Sequence, residues 1–303
     1  MERGFRMTVI VSEDYHAKPA LEKRSIDVIS PEEAVGEEIR ALRIGILNIM
    51  PKAETYEFNL LQPLGRSVLQ VDPVWIRLRT HVYKSTNQAH LQNVYVSFQE
   101  ALEKGRLDGL IVTGAPVEEI PFEQILYWDE IIRILRYAHR NIASTLGICW
   151  GALALAKYLG IDKMSYEKKL FGVYETRNLD LSHPVTGGMD DVFLCPQSRH
   201  SGIRDEDLER RRDSGAVNLL AYSEETGYTI FESSDRRFLM HLGHPEYHSR
   251  RIVEEYLRDR KLGRKDVRYP KNFDVERPAN CWRTHRTEFF AQWLKYVHET
   301  TTY

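Results

Sequence analysis

The sequence contains little cysteine, no long apolar run and no marked excess of charge of either sign. Three cysteines occur among 303 residues, and none falls in a C-x-x-C spacing. Such a sparse, odd count argues against a structural zinc site and against the disulfide framework of a small secreted protein. Because no run of about 18 apolar residues is present and residues 1–20 lack the apolar core of a signal peptide, we expect a cytoplasmic protein without a membrane-spanning helix.

The charge balance excludes a further group of functions. Lys and Arg total 42 and Asp and Glu total 44, which gives a formal net charge of −2. This near-balanced charge argues against dedicated nucleic-acid binding and against a polybasic membrane anchor. Its hydrophobic content of 42% is typical of a globular protein with a sizeable core.

The composition and patterning of the sequence change near residue 40. Residues 1–40 are polar and mixed, and we interpret them as an N-terminal extension, followed by a single domain over residues 41–303 that ends in a helical extension. Short apolar runs predict strands, and stretches with helical spacing alternate with them. The predicted strands of this part are 43–50, 71–78, 107–115 and 143–148, and the predicted helices are 53–65, 96–104, 121–140 and 150–159.

This alternation favours an α/β fold with a mostly parallel sheet and flanking helices, in which ligands bind beyond the carboxyl ends of the strands. The second half predicts closely spaced strands that look more antiparallel, followed by two helices. The predicted strands of this half are 172–176, 192–194, 219–223, 228–232 and 237–242, and the helices are 249–259 and 282–299.

The pentapeptide Gly147-Ile148-Cys149-Trp150-Gly151 lies between a predicted buried strand and a predicted helix. This is the setting of a nucleophile elbow, where glycines allow a tight turn around an exposed nucleophile. The dipole of the following helix is expected to lower the thiol pKa, and its first amides can donate to an oxyanion. The alternative is an inert cysteine behind a tight turn. Cys195 and Cys281 lack such glycines and are interpreted as structural.

A catalytic cysteine needs a base, and the segment His244-Pro245-Glu246 after a predicted strand offers one. In an extended segment, His244 and Glu246 lie on the same side, so the carboxylate can orient the imidazole as the third member of a triad. The competitor His241 has no acid at matching spacing. The alternative is a turn histidine next to a solvated glutamate. No H-E-x-x-H or equivalent spacing occurs, and no metal site is predicted.

Together these motifs resemble the class I glutamine amidotransferase-like fold, a flavodoxin-like sheet with a Cys-His-Glu triad. Within that fold the chain resembles the homoserine O-acyltransferases of methionine biosynthesis, over roughly residue 40 to the end. The matching stretches are 46–52 (ILNIMPK), 108–116 (DGLIVTGAP), 144–150 (STLGICW), 171–175 (FGVYE), 198–199 (SR), 243–247 (GHPEY) and 282–285 (WRTH).

The resemblance implies acyl transfer by a ping-pong route. Cys149 would take an acyl group from an acyl-CoA as a thioester, and His244, oriented by Glu246, would activate the hydroxyl of homoserine to attack it. The oxyanion would be met by the amide of Trp150 and an amide of the 113–116 loop, assigned to Ala115. The resemblance also implies a homodimer and no cofactor, since the acyl-CoA is a co-substrate.

By similarity to the family's positions, Lys169, Ser198 and Arg258 would line the homoserine site. The guanidinium fork of Arg258 suits an α-carboxylate, which it can bind with two parallel hydrogen bonds, and Lys169 can complement the same charge. Without the resemblance, Arg258 and Lys169 would be taken for solvated charges.

The acyl donor divides the family at the residue two beyond the proline of Thr-Gly-Ala-Pro, which is glycine in succinyl users and glutamate in acetyl users. Here it is Glu118. A carboxylate in the acyl pocket occupies the space of a succinyl tail and repels its charge, so the sequence predicts acetyl-CoA. Glu119 follows directly and could take the same place after a one-residue shift, and a solvated loop acid is the third interpretation.

Three other functions stay open at this point. The chain could be a homoserine O-succinyltransferase that uses succinyl-CoA. It could be a glutaminase or amidase with the same triad, although the C-terminal block from residue 282 and the 113–116 loop argue against this. It could also be a non-catalytic protein whose cysteine is inert.

Overall fold

In the computed structural model, which describes residues 8–36 and 40–302, twelve strands form one mixed sheet. The strands are β1 (Thr8–Ile10), β2 (Asp27–Ile29), β3 (Leu42–Leu47), β4 (Val71–Arg77), β5 (Val96–Ser97), β6 (Gly109–Val112), β7 (Ser144–Ile148), β8 (Met164–Asn178), β9 (Val192–Gly202), β10 (Val217–Ser223), β11 (Gly227–Ser233) and β12 (Phe238–His241).

Ten α-helices flank the sheet within the same described residues. They are α1 (Lys18–Glu22), α2 (Pro31–Val35), α3 (Ala53–Leu64), α4 (Gln88–Val94), α5 (Phe98–Glu103), α6 (Trp128–Asn141), α7 (Trp150–Tyr158), α8 (Asp205–Asp213), α9 (Ser249–Lys261) and α10 (Arg283–Thr300). No helix among the described residues is both long and apolar enough to cross a membrane.

The sheet has a parallel part and an antiparallel part. The strand order is β2-β1-β4-β3-β6-β7-β12-β11-β10-β8-β9, with β5 beside β4. All pairs from β2 to β12 are parallel, whereas β12, β11, β10, β8 and β9 pair antiparallel in succession. The predicted α/β fold, with its closely spaced antiparallel strands in the second half, is therefore confirmed.

The apolar runs of the central strands explain why these strands are buried on both faces. In β6, Ile111 joins a core layer with Ile44 and Ile46, whereas Leu110 and Val112 join the layer on the other face. Successive side chains of a strand point to opposite faces, so a continuous apolar run packs against helices on both sides.

The N-terminal region differs from the prediction. The described part of residues 1–40 contributes β1 and β2, which extend the sheet beyond β4; residues 1–7 and 37–39 lie outside the described residues. Each of these two strands has three residues. Such short strands show too few alternations to be recognised by their pattern.

The helix predicted over residues 121–140 is shorter in the structure. A 3₁₀ turn at Phe122–Gln124 precedes it, and the α-helix begins only at Trp128. Leu126, between the two, is 92% exposed. Ile125, which continued the helical spacing, is buried from the turn that precedes the helix and not from the helix itself.

Four parallel strands bring four loops to one edge of the sheet. β3, β6, β7 and β12 are neighbours and run in the same direction, so their carboxyl ends meet. The residues that follow these strands begin at 48, 113, 149 and 242. This edge is where an α/β sheet places its ligand.

Candidate active site

A cavity of about 340 Å³ opens at this edge of the sheet. Its walls come from the loops after β3, β6, β7 and β12, from β8 and β9, and from α9 and the segment that follows it. The cavity contains every side chain that the sequence analysis named for the nucleophile, the base, the substrate and the acyl donor: Cys149, His244, Lys169, Ser198, Arg258 and Glu118. Sequence positions 118 to 258 thus converge on one site.

Cys149 occupies a sharp turn between β7 and α7. Its backbone has φ 52° and ψ −111°, in the left-handed region that a residue with a side chain rarely adopts. The flanking glycines make the turn possible. A Cβ on Gly151 would lie 2.1 Å from the carbonyl oxygen of Val112, and one on Gly147 would lie 2.7 Å from the amide nitrogen of Ala152. The structure therefore has the predicted elbow geometry.

His244 lines the same cavity as the cysteine. Its Nδ1 is 2.7 Å from Oε1 of Glu246, and both side chains are buried. A Cβ on Gly114 would touch both His244 Cε1, at 3.5 Å, and Cys149 Cβ, at 3.7 Å. The three residues of the proposed triad are thus within one cluster. The competitor His241 is buried behind the cavity, where burial lowers its pKa to about 3.

Two tyrosines that the sequence analysis did not identify support the His244–Glu246 pair. The hydroxyl of Tyr56, on α3, donates to Oε1 of Glu246 at 2.7 Å. The ring of Tyr247 stacks on the imidazole of His244 with centroids 4.0 Å apart. Tyr247 is adjacent to Glu246 and had a local signal, whereas Tyr56 is 190 residues away in sequence and had none.

The environment of the thiol corrects one expectation. Burial raises the pKa of Cys149 well above its ordinary value, and the carboxylate of Glu118 raises it further, although the guanidinium of Arg199 acts in the opposite direction. Sγ donates to Oε1 of Glu118 at 3.5 Å. The direction of this pKa shift is opposite to the lowering expected from the helix dipole, and such a thiol needs a base to remove its proton.

Glu118 is fixed by its surroundings. Its Oε2 accepts from the backbone amide of His200 at 2.6 Å, and its backbone oxygen accepts from Ser201 Oγ at 2.8 Å and from Lys163. Glu119 instead lies at the exposed rim, where Arg264 is 3.2 Å away. Of the two neighbouring acids, the structure therefore directs Glu118 at the thiol.

The three residues assigned to the substrate meet at two acids on α9 that the sequence analysis missed. Lys169 Nζ is 2.7 Å from Asp259 Oδ2 and 3.4 Å from Glu255 Oε2, Ser198 donates to Glu255, and Arg258 is 2.8 Å from Asp259. Lys169 is buried in this network and is not a free charge. Glu255 and Asp259 are four residues apart, a spacing that places both on one helix face and could have revealed them.

The charges of this cluster act strongly on one acid. Burial alone would raise the pKa of Glu255, but the nearby cations Lys169, Arg251 and Arg258 lower it well below its ordinary value. Tyr247 also donates to this carboxylate, at 2.9 Å. The cavity therefore holds a fixed anion beside a half-exposed guanidinium, that of Arg258.

The two predicted oxyanion donors lie at the same edge. Trp150 is the first residue of α7, where a helical amide has no acceptor within its own helix. Ala115 follows β6 and lines the cavity.

The other cysteines differ from each other. Cys195 is buried in β9, whereas Cys281 is exposed and does not fit the expected structural role.

Among the described residues, one group has a donor set that could hold a metal ion: His16, Glu57 and His90, whose ligand atoms lie within 4.8 Å of one another. It is separate from the cavity. The carboxylate of Glu57 already accepts from four groups, the two histidines and the hydroxyls of Tyr15 and Tyr95. This arrangement fits a saturated hydrogen-bond network, and the absence of a metal stays a prediction.

Comparison with known proteins gives a family match over nearly the whole chain. The family model for homoserine O-succinyltransferase matches residues 8–303. The chain is 38% identical over 304 residues to the homoserine O-acetyltransferase of Bacillus cytotoxicus, covering 98% of this chain and 99% of that protein. It is 39% identical over 307 residues to the homoserine O-acetyltransferase of Geobacillus kaustophilus, with the same coverage.

Solved structures show the same fold. A glutamine amidotransferase from Thermotoga maritima aligns with a TM-score of 0.51 and 14% identity, covering 85% of this chain and 99% of that chain. The glutaminase domain of Trypanosoma brucei CTPS, solved with bound acivicin, aligns with a TM-score of 0.55 and 12% identity, covering 87% and 96%. At these identities the similarity shows the fold alone.

Proposed function

The chain belongs to the homoserine O-succinyltransferase family, and we propose that it is an acetyl-CoA-dependent homoserine O-acetyltransferase that works through a thioester on Cys149. Such an enzyme is an acyltransferase of methionine biosynthesis. The observation that carries the choice of donor is the contact between Glu118 Oε1 and Cys149 Sγ, at 3.5 Å. The acid lies where the tail of an acyl group on that sulfur would have to go.

The first half-reaction acylates the cysteine. His244 takes the thiol proton, and the sulfur of Cys149 attacks the thioester carbonyl of acetyl-CoA. The amides of Trp150 and Ala115 would stabilise the resulting oxyanion. The CoA sulfur then leaves with the proton from His244, and acetyl-Cys149 remains. The raised pKa of the thiol supports a role for His244 as the base, because the thiol has to lose its proton before the sulfur attacks.

The second half-reaction uses the same base. His244 takes the proton of the homoserine hydroxyl, whose oxygen attacks the acetyl carbonyl. The sulfur of Cys149 leaves and regains its proton from His244, which yields O-acetylhomoserine. Throughout, Glu246 holds Nδ1 of His244 and stabilises the imidazolium that forms in each half-reaction.

The α9 cluster supports recognition of an amino acid. Arg258 is half-exposed at the cavity and can bind the α-carboxylate with its guanidinium fork. The anions Glu255 and Asp259 can accept the α-ammonium group. Lys169 and Ser198 hold these acids in place. In this proposal Lys169 acts on homoserine through the acids, not by direct contact with the carboxylate.

Glu118 supports acetyl over succinyl on energetic grounds. Two like charges about 4 Å apart repel each other by about 4 kcal/mol at an effective dielectric constant near 20. A succinyl tail on Cys149 would add a second carboxylate to the pocket that holds Glu118, whereas an acetyl group carries no charge. This difference predicts a preference for acetyl-CoA of roughly a hundredfold or more in kcat/KM.

The experiment mixes the purified protein with L-homoserine and either acetyl-CoA or succinyl-CoA and follows free CoA thiol. Two variants accompany the wild type, Glu118→Gly and, as the matched control, Glu119→Gly. We expect release with acetyl-CoA for the wild type and the control, and a gain of succinyl-CoA use in Glu118→Gly only. An unchanged preference in Glu118→Gly, or succinyl-CoA use by the wild type, would overturn the donor assignment.

A protein that releases no CoA from either donor but releases ammonia from glutamine would be an amidase of the same fold. The proposed reaction needs no resident cofactor, since the two substrates supply the acyl group and its acceptor. The cytoplasmic location and the homodimer stay predictions.

A further inference from the structure

The carboxylate of Glu246 is bound in an unequal way. Its Oε1 accepts from Tyr56 and from His244, each at 2.7 Å. Its Oε2 is buried and has no hydrogen-bond partner among the described residues. One oxygen therefore carries both contacts, and a rotation of the carboxylate would break both at once.

The hydroxyl of Tyr56 acts as a hydrogen-bond donor. Its side chain is buried, at 2% exposure. Burial raises the pKa of its phenol well above the ordinary value, and the charge of Glu246 raises it further. The hydroxyl therefore keeps its proton, and an ionised carboxylate can only accept.

Tyr56 does not line the cavity. A substrate in the cavity would meet Cys149 and His244, and the phenol would stay behind the acid. Its effect on the reaction has to pass through Glu246.

The helix that carries Tyr56 is itself fixed. The next residue on α3, Glu57, accepts four hydrogen bonds from the N-terminal segment and from the region of α4. On the other side, Arg286 of α10 lies 3.3 Å from Gln62 of α3 and 3.5 Å from the backbone oxygen of Glu246. The phenol is thus presented from a helix that is held on two sides.

We propose that Tyr56 is a positioning residue of the active site, which selects the oxygen of Glu246 that binds His244 and keeps that carboxylate correctly turned toward the imidazole. This inference rests on the proposed triad and extends it by one residue. A hydrogen bond to a charged group contributes about 1.5–3 kcal/mol, so its loss should slow the steps in which His244 carries a proton by roughly ten- to a hundredfold.

The test compares Tyr56→Phe with Tyr95→Phe. Tyr95 is a matched control, because its buried hydroxyl also donates to a buried carboxylate, Oε1 of Glu57, at 2.7 Å. Each variant removes one oxygen atom and leaves the ring. Activity is measured with acetyl-CoA and homoserine across pH, together with the melting temperature.

For Tyr56→Phe we expect a lower kcat, an unchanged KM for homoserine, and an acidic limb of the pH–rate profile that moves to higher pH, since the anionic carboxylate has lost a donor. For Tyr95→Phe we expect a lower melting temperature with kcat and pH profile close to those of the wild type. A wild-type kcat and pH profile in Tyr56→Phe would overturn the proposal, whatever its melting temperature.

A second measurement needs no substrate and covers the case in which the proposed reaction fails. The rate of Cys149 alkylation by iodoacetamide reports formation of the thiolate, which His244 assists. We expect Tyr56→Phe to slow this reaction near neutral pH, but to have no further effect in a Glu246→Gln background, since it acts through that acid. Equal slowing with and without Glu246 would contradict the inference. If the alkylation rates follow this pattern but the wild type transfers no acyl group, only the proposed function is refuted.

Discussion

Two buried glutamates, Glu246 and Glu57, show how similar contacts serve different ends. Both side chains are fully buried. Each accepts a tyrosine hydroxyl at 2.7 Å and a histidine at 2.7 Å. Glu57, however, uses both oxygens and accepts from four groups, whereas Glu246 uses one oxygen and leaves the other without a partner.

This difference in hydrogen bonding distinguishes Glu57, which links parts of the fold, from Glu246, which supports a reactive histidine. The four bonds of Glu57 connect the N-terminal segment, α3 and the region of α4, and its histidines lie away from the cavity. Glu246 has a single histidine partner, His244, which lines the cavity. A buried acid with every acceptor position filled stabilises the fold, and one that supports a single imidazole at the cavity wall can serve proton transfer.

Glu246→Gln should have the largest effect. The amide cannot stabilise the imidazolium of His244 and can favour the wrong tautomer, so acyl transfer should fall by about a thousandfold or more. The melting temperature should change little, because the amide is isosteric. The measurement is CoA release at saturating substrates, with circular dichroism on the same sample. Activity within tenfold of the wild type would remove Glu246 from the mechanism.

Glu57→Gln should show the reverse pattern. The amide leaves some of the four donors without an acceptor, which should lower the free energy of unfolding by about 3 kcal/mol and the melting temperature by roughly 5–10 °C. Activity of the folded fraction should stay within a few-fold of the wild type. Thermal unfolding with the CoA-release assay checks both. A fully folded variant without activity would contradict the assignment of Glu57 as a structural residue.

The acid stability of the wild type should depend on Glu57 in a defined window. Burial alone would raise the pKa of Glu57, but hydrogen bonds from His16, Tyr15, His90 and Tyr95 outweigh it and lower the pKa below its ordinary value of 4.5. A carboxyl with a lowered folded-state pKa contributes stability above its unfolded value and loses it as the pH falls through the folded value.

The difference in unfolding free energy between wild type and Glu57→Gln should therefore shrink as the pH falls below 4.5. Denaturant unfolding at several pH values measures it. A difference that grows as the pH falls below 4.5 would contradict the sign of this effect.

The sequence was most informative where chemistry lies at the end of a strongly patterned strand. Cys149 follows β7 and His244 lies just after β12, two adjacent parallel strands. The rule that ligands bind at the carboxyl ends of such strands was enough to predict that they meet. The fold class followed from the same alternation of strands and helices.

Residues that act through long-range packing could not be found in this way. Tyr56 reaches Glu246 from 190 residues away on another helix, and no local pattern distinguishes it from an ordinary core tyrosine. The direction of the pKa shift of the Cys149 thiol was also predicted wrongly from the sequence. The helix dipole is a local feature, whereas the burial of Cys149 and its contact with Glu118 depend on the complete fold.

The central claim is that Cys149 carries the acetyl group between the two substrates. The most direct measurement is the mass of the protein after incubation with acetyl-CoA in the absence of homoserine. We predict one acetyl adduct, located on the peptide that contains Cys149. This adduct should be lost when homoserine is added and absent in Cys149→Ala. Formation of O-acetylhomoserine by a protein that never acquires this adduct would contradict it.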